Sequence, residues 1–160
     1  MRPDLFRLRR SGAAGQLFTM ARPRGGQWLD AEMAGLADAG IATLVSMLTD
    51  AEVTRLGLSG EAEAAQAAGL AFRRLATPER EVPGRSECLA LAEELRGQLA
   101  AGTGVAIHCR SGIGRSSVLA ATVLVLEGIT PHEAWNVIAA ARGLPVPDTP
   151  AQRDFILGLR

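Results

Sequence analysis

Short apolar runs of strand length alternate with helix-type segments along this chain, and this alternation constrains the fold more than any other feature. Ile41–Leu48 is apolar and rich in β-branched residues, as expected of a strand buried on both faces of a parallel sheet. Trp28–Ala39 instead has helical periodicity and stops at Gly40, a natural helix terminus. Strands separated by helices predict an α/β fold with a central, mostly parallel sheet flanked by helices. The predicted strands are Leu17–Ala21, Ile41–Leu48, Leu70–Leu75 and Val105–Cys109.

Helix starts are marked by a threonine followed three residues later by Glu or Gln, the pattern of a capping box. The three pairs are Thr49 with Glu52, Thr130 with Glu133, and Thr149 with Gln152. Ligands of parallel α/β sheets bind beyond the carboxyl ends of the strands. The loops after Leu48, Leu75 and Cys109 are therefore predicted to share one functional rim.

The charge balance excludes one broad class of function. The chain has 160 residues with 17 basic and 17 acidic side chains, so its formal net charge is zero. A protein without a basic excess is a poor general binder of nucleic acid. The charges are uneven, because residues 1–24 contain six Arg and one acid, Asp4. We interpret this segment as a docking surface for an anionic partner or as a solvated edge, with residues 1–16 forming a basic arm or an edge strand.

Length and cysteine content favour an ordinary intracellular domain. A chain of this size is expected to form a single domain spanning residues 1–160. We expect no membrane span, because no apolar run reaches the necessary length, and no secretory signal at Met1–Leu5. Two cysteines, Cys88 and Cys109, are too few for a disulfide framework and predict a cytoplasmic location.

The stretch that carries chemistry is Val-Ala-Ile-His-Cys-Arg-Ser-Gly-Ile-Gly-Arg-Ser-Ser, residues 105–117. A buried strand delivers Cys109 to its carboxyl end, a glycine-containing loop follows, and a helix begins at Arg115. Glycines let successive N–H groups turn inward, and together with the free N–H groups of a helix start they form a nest for an anion. A positive environment of this kind favours the thiolate form of a cysteine, and an Arg fork matches two phosphate oxygens. The sequence thus predicts nucleophilic attack on a bound phosphoryl group.

His-Cys, five residues, then Arg-Ser resembles the signature loop of the cysteine-based protein tyrosine phosphatase superfamily. The compact chain is most similar to the dual-specificity-like branch, of the kinase-associated-phosphatase type. Rhodanese-like sulfurtransferases, which usually have a shorter cysteine loop, are a minor alternative. We call residues 109–115 the signature loop. The positions implied to bind phosphate are Arg110, Ser111, Gly112, Ile113, Gly114 and Arg115.

The resemblance implies a role for each matching residue. Cys109 would form a cysteinyl-phosphate, and Arg115 would hold the phosphoryl oxygens. Ser116 would assist departure of the thiolate, or would cap the following helix. His108 would order the loop and tune Cys109, as a hydrogen-bonded buried residue rather than a general base. No metal and no cofactor is implied.

The family also needs a general acid, usually an Asp on a separate loop. The matching position in Thr77–Gly84 is Glu79, and the departure leaves its placement open because a longer side chain moves the carboxyl group. Asp50 is the main substitute, although it also caps a helix, and Glu81 comes next.

Two further residues have alternative roles. Gln152 resembles a water-positioning Gln of some relatives, but its capping-box role is favoured. Cys88 is expected in the core, and a redox pairing with Cys109 is a second hypothesis.

The function predicted from this resemblance is metal-independent hydrolysis of phosphomonoesters on tyrosine, with serine or threonine as further targets. One alternative is a phosphatase of non-protein phosphomonoesters such as phosphoinositides or nucleotides. The other is a phosphate-binding pseudophosphatase, because Glu replaces the usual Asp. The expected partner is a phosphorylated protein or a small phosphomonoester.

Overall fold

One mixed sheet organises the fold. The computed structural model describes residues 4–12 and 14–159, so Arg2 of the basic segment lies outside the described residues. The strands run in the order β1-β2-β5-β3-β4. β1 is antiparallel to β2, and every other neighbouring pair is parallel. The predicted mostly parallel α/β architecture is therefore confirmed. The strands are β1 (Phe6–Arg7), β2 (Leu17–Met20), β3 (Ile41–Ser46), β4 (Ala71–Arg74) and β5 (Gly104–His108).

Helices cover both faces of the sheet. On the central strand β5, Val105 and Ile107 point into one apolar cluster, which contains side chains of α4, α5, α6 and α7. Ala106 points to the opposite cluster, which contains side chains of α1 and α3. This alternation is the two-residue period of a strand buried on both faces. The helices are α1 (Leu29–Asp38), α2 (Asp50–Arg55), α3 (Glu61–Ala67), α4 (Arg85–Ala100), α5 (Arg115–Leu126), α6 (Pro131–Arg142) and α7 (Pro150–Leu157).

The parallel strands place their carboxyl ends along one edge. Met20 of β2, Ser46 of β3 and His108 of β5 lie in register at that edge. The helix that follows β5 is the most deeply buried of the described helices, because every residue from Arg115 to Leu124 is buried. A helix buried on all sides is held rigidly by its neighbours, so its first turn is a firm base for the preceding loop.

Several predicted boundaries differ from the structure. β5 ends at His108, so Cys109 is the first residue of the loop rather than the last of the strand. Trp28 belongs to a 3₁₀ turn that precedes α1, and β3 stops at Ser46. The start of the chain does contribute an edge strand, β1, within the predicted 1–16 segment.

The capping pattern is only partly as predicted. The boxes at Thr49 and Thr149 are complete, with both reciprocal hydrogen bonds present. At α6, Thr130 accepts a hydrogen bond from the backbone of Glu133, but the return bond is not formed. The predicted full box there is wrong, since the Glu133 side chain faces solvent instead of folding back.

Within the described ranges, no helix combines the length and the apolar character that crossing a lipid bilayer requires.

Candidate active site

Cys109 lies directly after β5, at the edge of the sheet where the parallel strands end. Its side chain is 2% exposed. Its Sγ lies 3.2 Å from Oγ of Ser116, which is on the first turn of α5. The hydroxyl can therefore donate to the sulfur, as the thiolate form requires. The predicted proximity of Cys109 and Ser116 is present in the structure.

Two backbone carbonyls of the signature loop are bound by the surrounding protein. The carbonyl of Arg110 accepts from the N–H of Arg22 at 3.2 Å, and that of Ser111 accepts from the Arg142 guanidinium at 3.3 Å. Gly112 has a φ of +75° and packs against the end of β2 so closely that a Cβ would meet backbone atoms at under 3 Å. In the part of the chain that the structure describes, the N–H groups of residues 110–114 donate to no protein acceptor. They are donors left for an anion.

Arg115 is fixed at the same site by an ion pair that the sequence does not suggest. Its two terminal nitrogens donate to the two carboxylate oxygens of Glu52 at 2.7 and 2.9 Å. One of them also donates to the carbonyl of Thr77 at 2.8 Å. A guanidinium has five N–H donors. Three are engaged with described residues, and two are left to bind phosphate oxygens.

The Glu52–Arg115 pair is nearly buried, with side chains 7% and 3% exposed. The hydrogen bond from Arg115 is the main reason that the pKa of Glu52 falls to about 2, against the opposing effect of burial. Burial disfavours the charge of Arg115, but Glu52 and the nearby Cys109 together raise the pKa of the guanidinium. Both partners are therefore ionised at neutral pH.

His108 is a buried, hydrogen-bonded residue, as expected. Nδ1 lies 3.1 Å from the carbonyl oxygen of Cys109. Nε2 lies 2.5 Å from a carboxylate oxygen of Glu61, the first residue of α3. The ring is thus fixed between two oxygens and cannot reach a substrate as a general base.

The candidate acids separate clearly in space. The Glu79 carboxylate is 3.9 Å from the guanidinium of Arg110, so it lies at the mouth of the signature loop and remains about half exposed. The Asp50 carboxylate is 94% exposed and pairs at 2.7 Å with Arg74 of β4, the edge strand on that side of the sheet. The exposed Glu81 is held through its backbone carbonyl rather than its carboxylate. Of the three, Glu79 is the one in contact with the signature loop.

Gln152 completes the cap of α7 and lies beside Gly114 of the signature loop. Its Oε1 accepts from the backbone N–H groups of Asp148 and Thr149, which completes the cap of α7. Its Nε2 donates to the carbonyl of Glu81 at 3.2 Å and would lie 3.1 Å from a Cβ on Gly114. The Asp148 carboxylate also touches this side of Gly114, and sequence reasoning did not single it out.

A family model described as a DSP-PTPase phosphatase of polymorphic toxin systems matches residues 18–129. The chain belongs to this phosphatase family. Among curated proteins, no sequence relative matches the chain.

Solved phosphatase structures share the fold of this DSP-PTPase phosphatase. Kinase associated phosphatase (KAP), carrying serine in place of its catalytic-site cysteine, superposes with a TM-score of 0.88 at 20% identity, covering 100% of this chain and 98% of KAP. Tk-PTP in its active form superposes with a TM-score of 0.76 at 20% identity, covering 95% of this chain and 99% of Tk-PTP. PTPMT1 in complex with PI(5)P superposes with a TM-score of 0.74 at 21% identity, covering 88% of this chain and 87% of PTPMT1. The fold resemblance spans nearly the whole chain.

The second cysteine of this phosphatase is in the core, as expected. Cys88 is fully buried on α4, with Sγ 3.5 Å from the hydroxyl of Thr122. Burial raises the pKa of the Cys88 thiol to about 11, although the Thr122 hydroxyl opposes the shift. Cys88 is therefore a thiol at neutral pH, and thiols are poor nucleophiles.

We expect iodoacetamide at pH 7 to alkylate Cys109 and to leave Cys88 unmodified in the folded phosphatase. The reason is that only a thiolate reacts, and burial keeps Cys88 protonated. Peptide mass spectrometry after brief labelling measures both sites, with Cys109→Ser as the matched control. The same digest after mild peroxide tests the redox hypothesis, and a Cys88–Cys109 disulfide would contradict the inert role of Cys88.

Among the described residues, no group of three or more His, Cys, Asp or Glu side chains is arranged to hold a metal ion.

Sequence reasoning missed two acidic residues of this site, Glu52 and Glu61. The sequence pattern gives Glu52 only a role in the Thr49 cap, although its place in the first turn of the helix that follows β3 is a usable signal. Glu61 carried no signal beyond its position at the start of an Ala-rich helix. Each contacts a residue of the signature stretch more than 45 positions away in sequence.

Proposed function

We propose that this phosphatase hydrolyses phosphomonoesters through a covalent intermediate on Cys109. The observation that carries the proposal is the juxtaposition of three groups around Cys109. They are its thiol, five loop N–H groups that meet no acceptor among the described residues, and an Arg115 guanidinium with two donors that no described residue engages. Donors arranged in advance around a developing charge lower the barrier most, because they need no reorganisation during the reaction.

In the first step the Cys109 thiolate attacks phosphorus. A sulfur–phosphorus bond forms while the bond from phosphorus to the substrate oxygen breaks. The loop N–H groups and Arg115 hold the three equatorial oxygens. The leaving oxygen takes the proton of Glu79, whose carboxyl group lies at the mouth of the loop beside Arg110.

In the second step water replaces sulfur on phosphorus. The Glu79 carboxylate accepts a proton from the attacking water, and the sulfur–phosphorus bond breaks to release inorganic phosphate. Ser116 donates a hydrogen bond to the departing thiolate across the 3.2 Å contact. Gln152 caps α7 and supports the loop that carries Glu81, and positioning of the water is a second role for its amide.

Hydrolysis of para-nitrophenyl phosphate in the presence of EDTA tests the activity. We expect metal-independent turnover between pH 5 and 7 and competitive inhibition by vanadate. A crystal soaked in vanadate should show the anion above Cys109, held by the loop N–H groups and Arg115. A protein that binds vanadate there but does not turn over substrate would be a pseudophosphatase, and an empty loop would contradict the site itself.

Replacing Glu79 with Gln is expected to lower kcat about a hundredfold at pH 6, because the leaving oxygen then departs without a proton. Gln preserves the side-chain size, so binding of the phosphoryl group and KM should change little. Steady-state kinetics with para-nitrophenyl phosphate measures both constants.

Three matched amide variants locate the acid if Glu79 is not the donor. Asp50→Asn and Glu81→Gln should stay within about twofold of the parent, since neither carboxylate contacts the signature loop. A full rate in Glu79→Gln combined with a large loss in Asp50→Asn would assign the acid to Asp50. The same loss in Asp148→Asn would assign it to the carboxylate beside Gly114.

We place phosphotyrosine and other phosphorylated side chains of proteins first, and assign the activity to the cytoplasm, where a nucleophilic cysteine stays reduced. PI(5)P is bound by PTPMT1, a structural neighbour at 21% identity. Parallel assays with phosphotyrosine peptides, phosphoserine peptides and phosphoinositides rank the classes by kcat/KM.

A further inference from the structure

Within the described part of the chain, the sheet ends at β1, which pairs with β2 on one side only. Leu8 continues this pairing, because its N–H donates to the carbonyl of Leu17 at 2.9 Å. In an antiparallel ladder the backbone groups of successive residues point alternately toward the neighbouring strand and away from it. Those of Arg7 and Arg9 therefore point away from β2. We call residues 6–9 the edge segment.

The edge segment is held in a fixed position by its surroundings. Leu8 is buried in the apolar cluster that also contains side chains of α6. The guanidinium of Arg142, the last residue of α6, covers the ring of Phe6 at 4.4 Å from its centroid. Directly after the segment, Nε of Arg10 donates to the Glu127 carboxylate at 3.0 Å. A partner that pairs with the segment does not have to order it first, which lowers the entropic cost of binding.

Two positive charges lie on one face of the edge segment. Arg7 is opposite Phe18 of β2, and the side chains of opposed residues share a face of the sheet. Alternate residues of a strand also share a face, so Arg9 lies with Arg7, and Leu8 points to the other face. Both arginines are exposed, and no described carboxylate forms an ion pair with either of them. Two cations without a described counter-ion, beside backbone groups that point outward, favour an anionic partner.

A groove of about 360 Å³ lies between these two arginines and α6. On the α6 side its lining includes the apolar side chains of Val137, Ala140 and Ala141. Glu133, in the first turn of α6, is the one acid among the described lining residues. The exposed edge therefore adjoins cations on one face and apolar surface on the face to which Leu8 points.

We propose that the edge segment is a docking site for an extended acidic segment of a partner protein, which adds a strand beside β1. In the added strand, one set of alternate residues lies beside Arg7 and Arg9, and the other set lies against Val137 and Ala140. A segment in which acidic and apolar residues alternate fits both surfaces. A second copy of this chain does not, because it sets its own arginines opposite these, and opposed like charges are destabilising. The inference does not depend on the chemistry of Cys109.

Fluorescence anisotropy of a labelled peptide tests the docking site in the full chain. The probe is an unphosphorylated peptide of about eight residues in which Glu and Val alternate. We expect saturable binding that weakens as the salt concentration rises. A peptide of the same composition with all its Glu residues in one block should bind at least about tenfold more weakly, because its charges no longer share a face. Equal affinity for the two peptides would overturn the proposal.

Matched variants show whether the edge segment or the overall charge is responsible. Arg7→Gln combined with Arg9→Gln should weaken binding of the alternating peptide at least about tenfold. Arg55→Gln combined with Arg153→Gln removes two exposed arginines elsewhere and should change the affinity by less than about twofold. Ala140→Glu places a charge and a larger side chain in the groove on an exposed helical position, and should abolish binding. Equal losses in the two double variants would contradict a specific site.

Amide hydrogen exchange tests the strand pairing itself. The N–H of Arg9 donates to no acceptor among the described residues, so its exchange should become slow only when the alternating peptide is bound. Unchanged exchange at saturating peptide would overturn strand addition. A dimer of the parent chain in light scattering, with this amide protected in the absence of peptide, would assign the edge to a second copy and overturn the proposal.

Docking and the proposed hydrolysis are tested independently. Arg7→Gln combined with Arg9→Gln should hydrolyse para-nitrophenyl phosphate within about twofold of the parent, because neither side chain contacts the signature loop. A chain that binds the alternating peptide but does not turn over para-nitrophenyl phosphate would refute the phosphatase mechanism and leave the docking site intact.

Discussion

Cys109→Ser is expected to lower the hydrolysis of para-nitrophenyl phosphate at least about a thousandfold, because a serine hydroxyl is a much weaker nucleophile than the sulfur group it replaces. The variant should still fold. Serine differs from cysteine only in having oxygen in place of sulfur, so it fits the same position. Steady-state kinetics at pH 6 measures the loss.

Measuring anion binding shows whether Cys109→Ser has lost only its nucleophile or the whole phosphate-binding site. The loop N–H groups and the Arg115 guanidinium are unchanged in Cys109→Ser, so phosphate affinity measured by calorimetry should stay within about tenfold of the parent. Retained turnover would show that Cys109 is not the nucleophile. Ser116→Ala, on the first turn of α5, is the matched hydroxyl control, and it should slow only the second step.

Glu52→Gln is expected to lower the free energy of unfolding by about 3 kcal/mol at pH 7, because the pKa of Glu52 lies at about 2, against 4.5 for the free side chain. The folded state lowers this pKa, so the stabilisation is complete above about pH 4.5 and is lost as the pH falls toward 2. The difference in the free energy of unfolding between variant and parent should therefore become smaller below pH 4.5. Urea denaturation from pH 3 to 7 measures it.

The same variant should also lose activity, since Glu52 fixes the plane of the Arg115 guanidinium. We expect kcat/KM to fall by about tenfold or more, as misplacement of a phosphate-binding group commonly costs this much. Asp50→Asn is the matched control on the same helix. Its carboxylate is 94% exposed, and a surface ion pair of this kind contributes at most about 1 kcal/mol. A Glu52→Gln curve parallel to the parent at every pH would contradict the role of the pair.

Much of the active site could be predicted because it is contiguous in the chain. Residues 105–117 contain the strand end, the glycines, the nucleophile and the start of α5, and local backbone geometry brings them together. The structure adds that the loop N–H groups donate to no acceptor among the described residues, and that two loop carbonyls accept hydrogen bonds from Arg22 and Arg142. Those two donors come from distant elements that no spacing rule connects to the loop.

Local signals also located most elements, but they assigned one residue too narrow a role. Thr49 and Glu52 form the capping box that the sequence predicts. A capping-box carboxylate has two oxygens, and here both also accept from Arg115. The pattern records the local use of a side chain and carries no information about a partner 63 residues away.

The alternation of strand-type and helix-type segments determined by itself that this chain forms an α/β sheet with a functional rim, because periodicity and helix caps are properties of neighbouring residues. The tertiary structure decided the order β1-β2-β5-β3-β4. With β5 in the centre, α2 and α3 come within reach of the signature stretch, and their acids meet Arg115 and His108. Such pairings depend on which strands lie side by side, and the free energy of that choice is spread over the whole core rather than over any local motif.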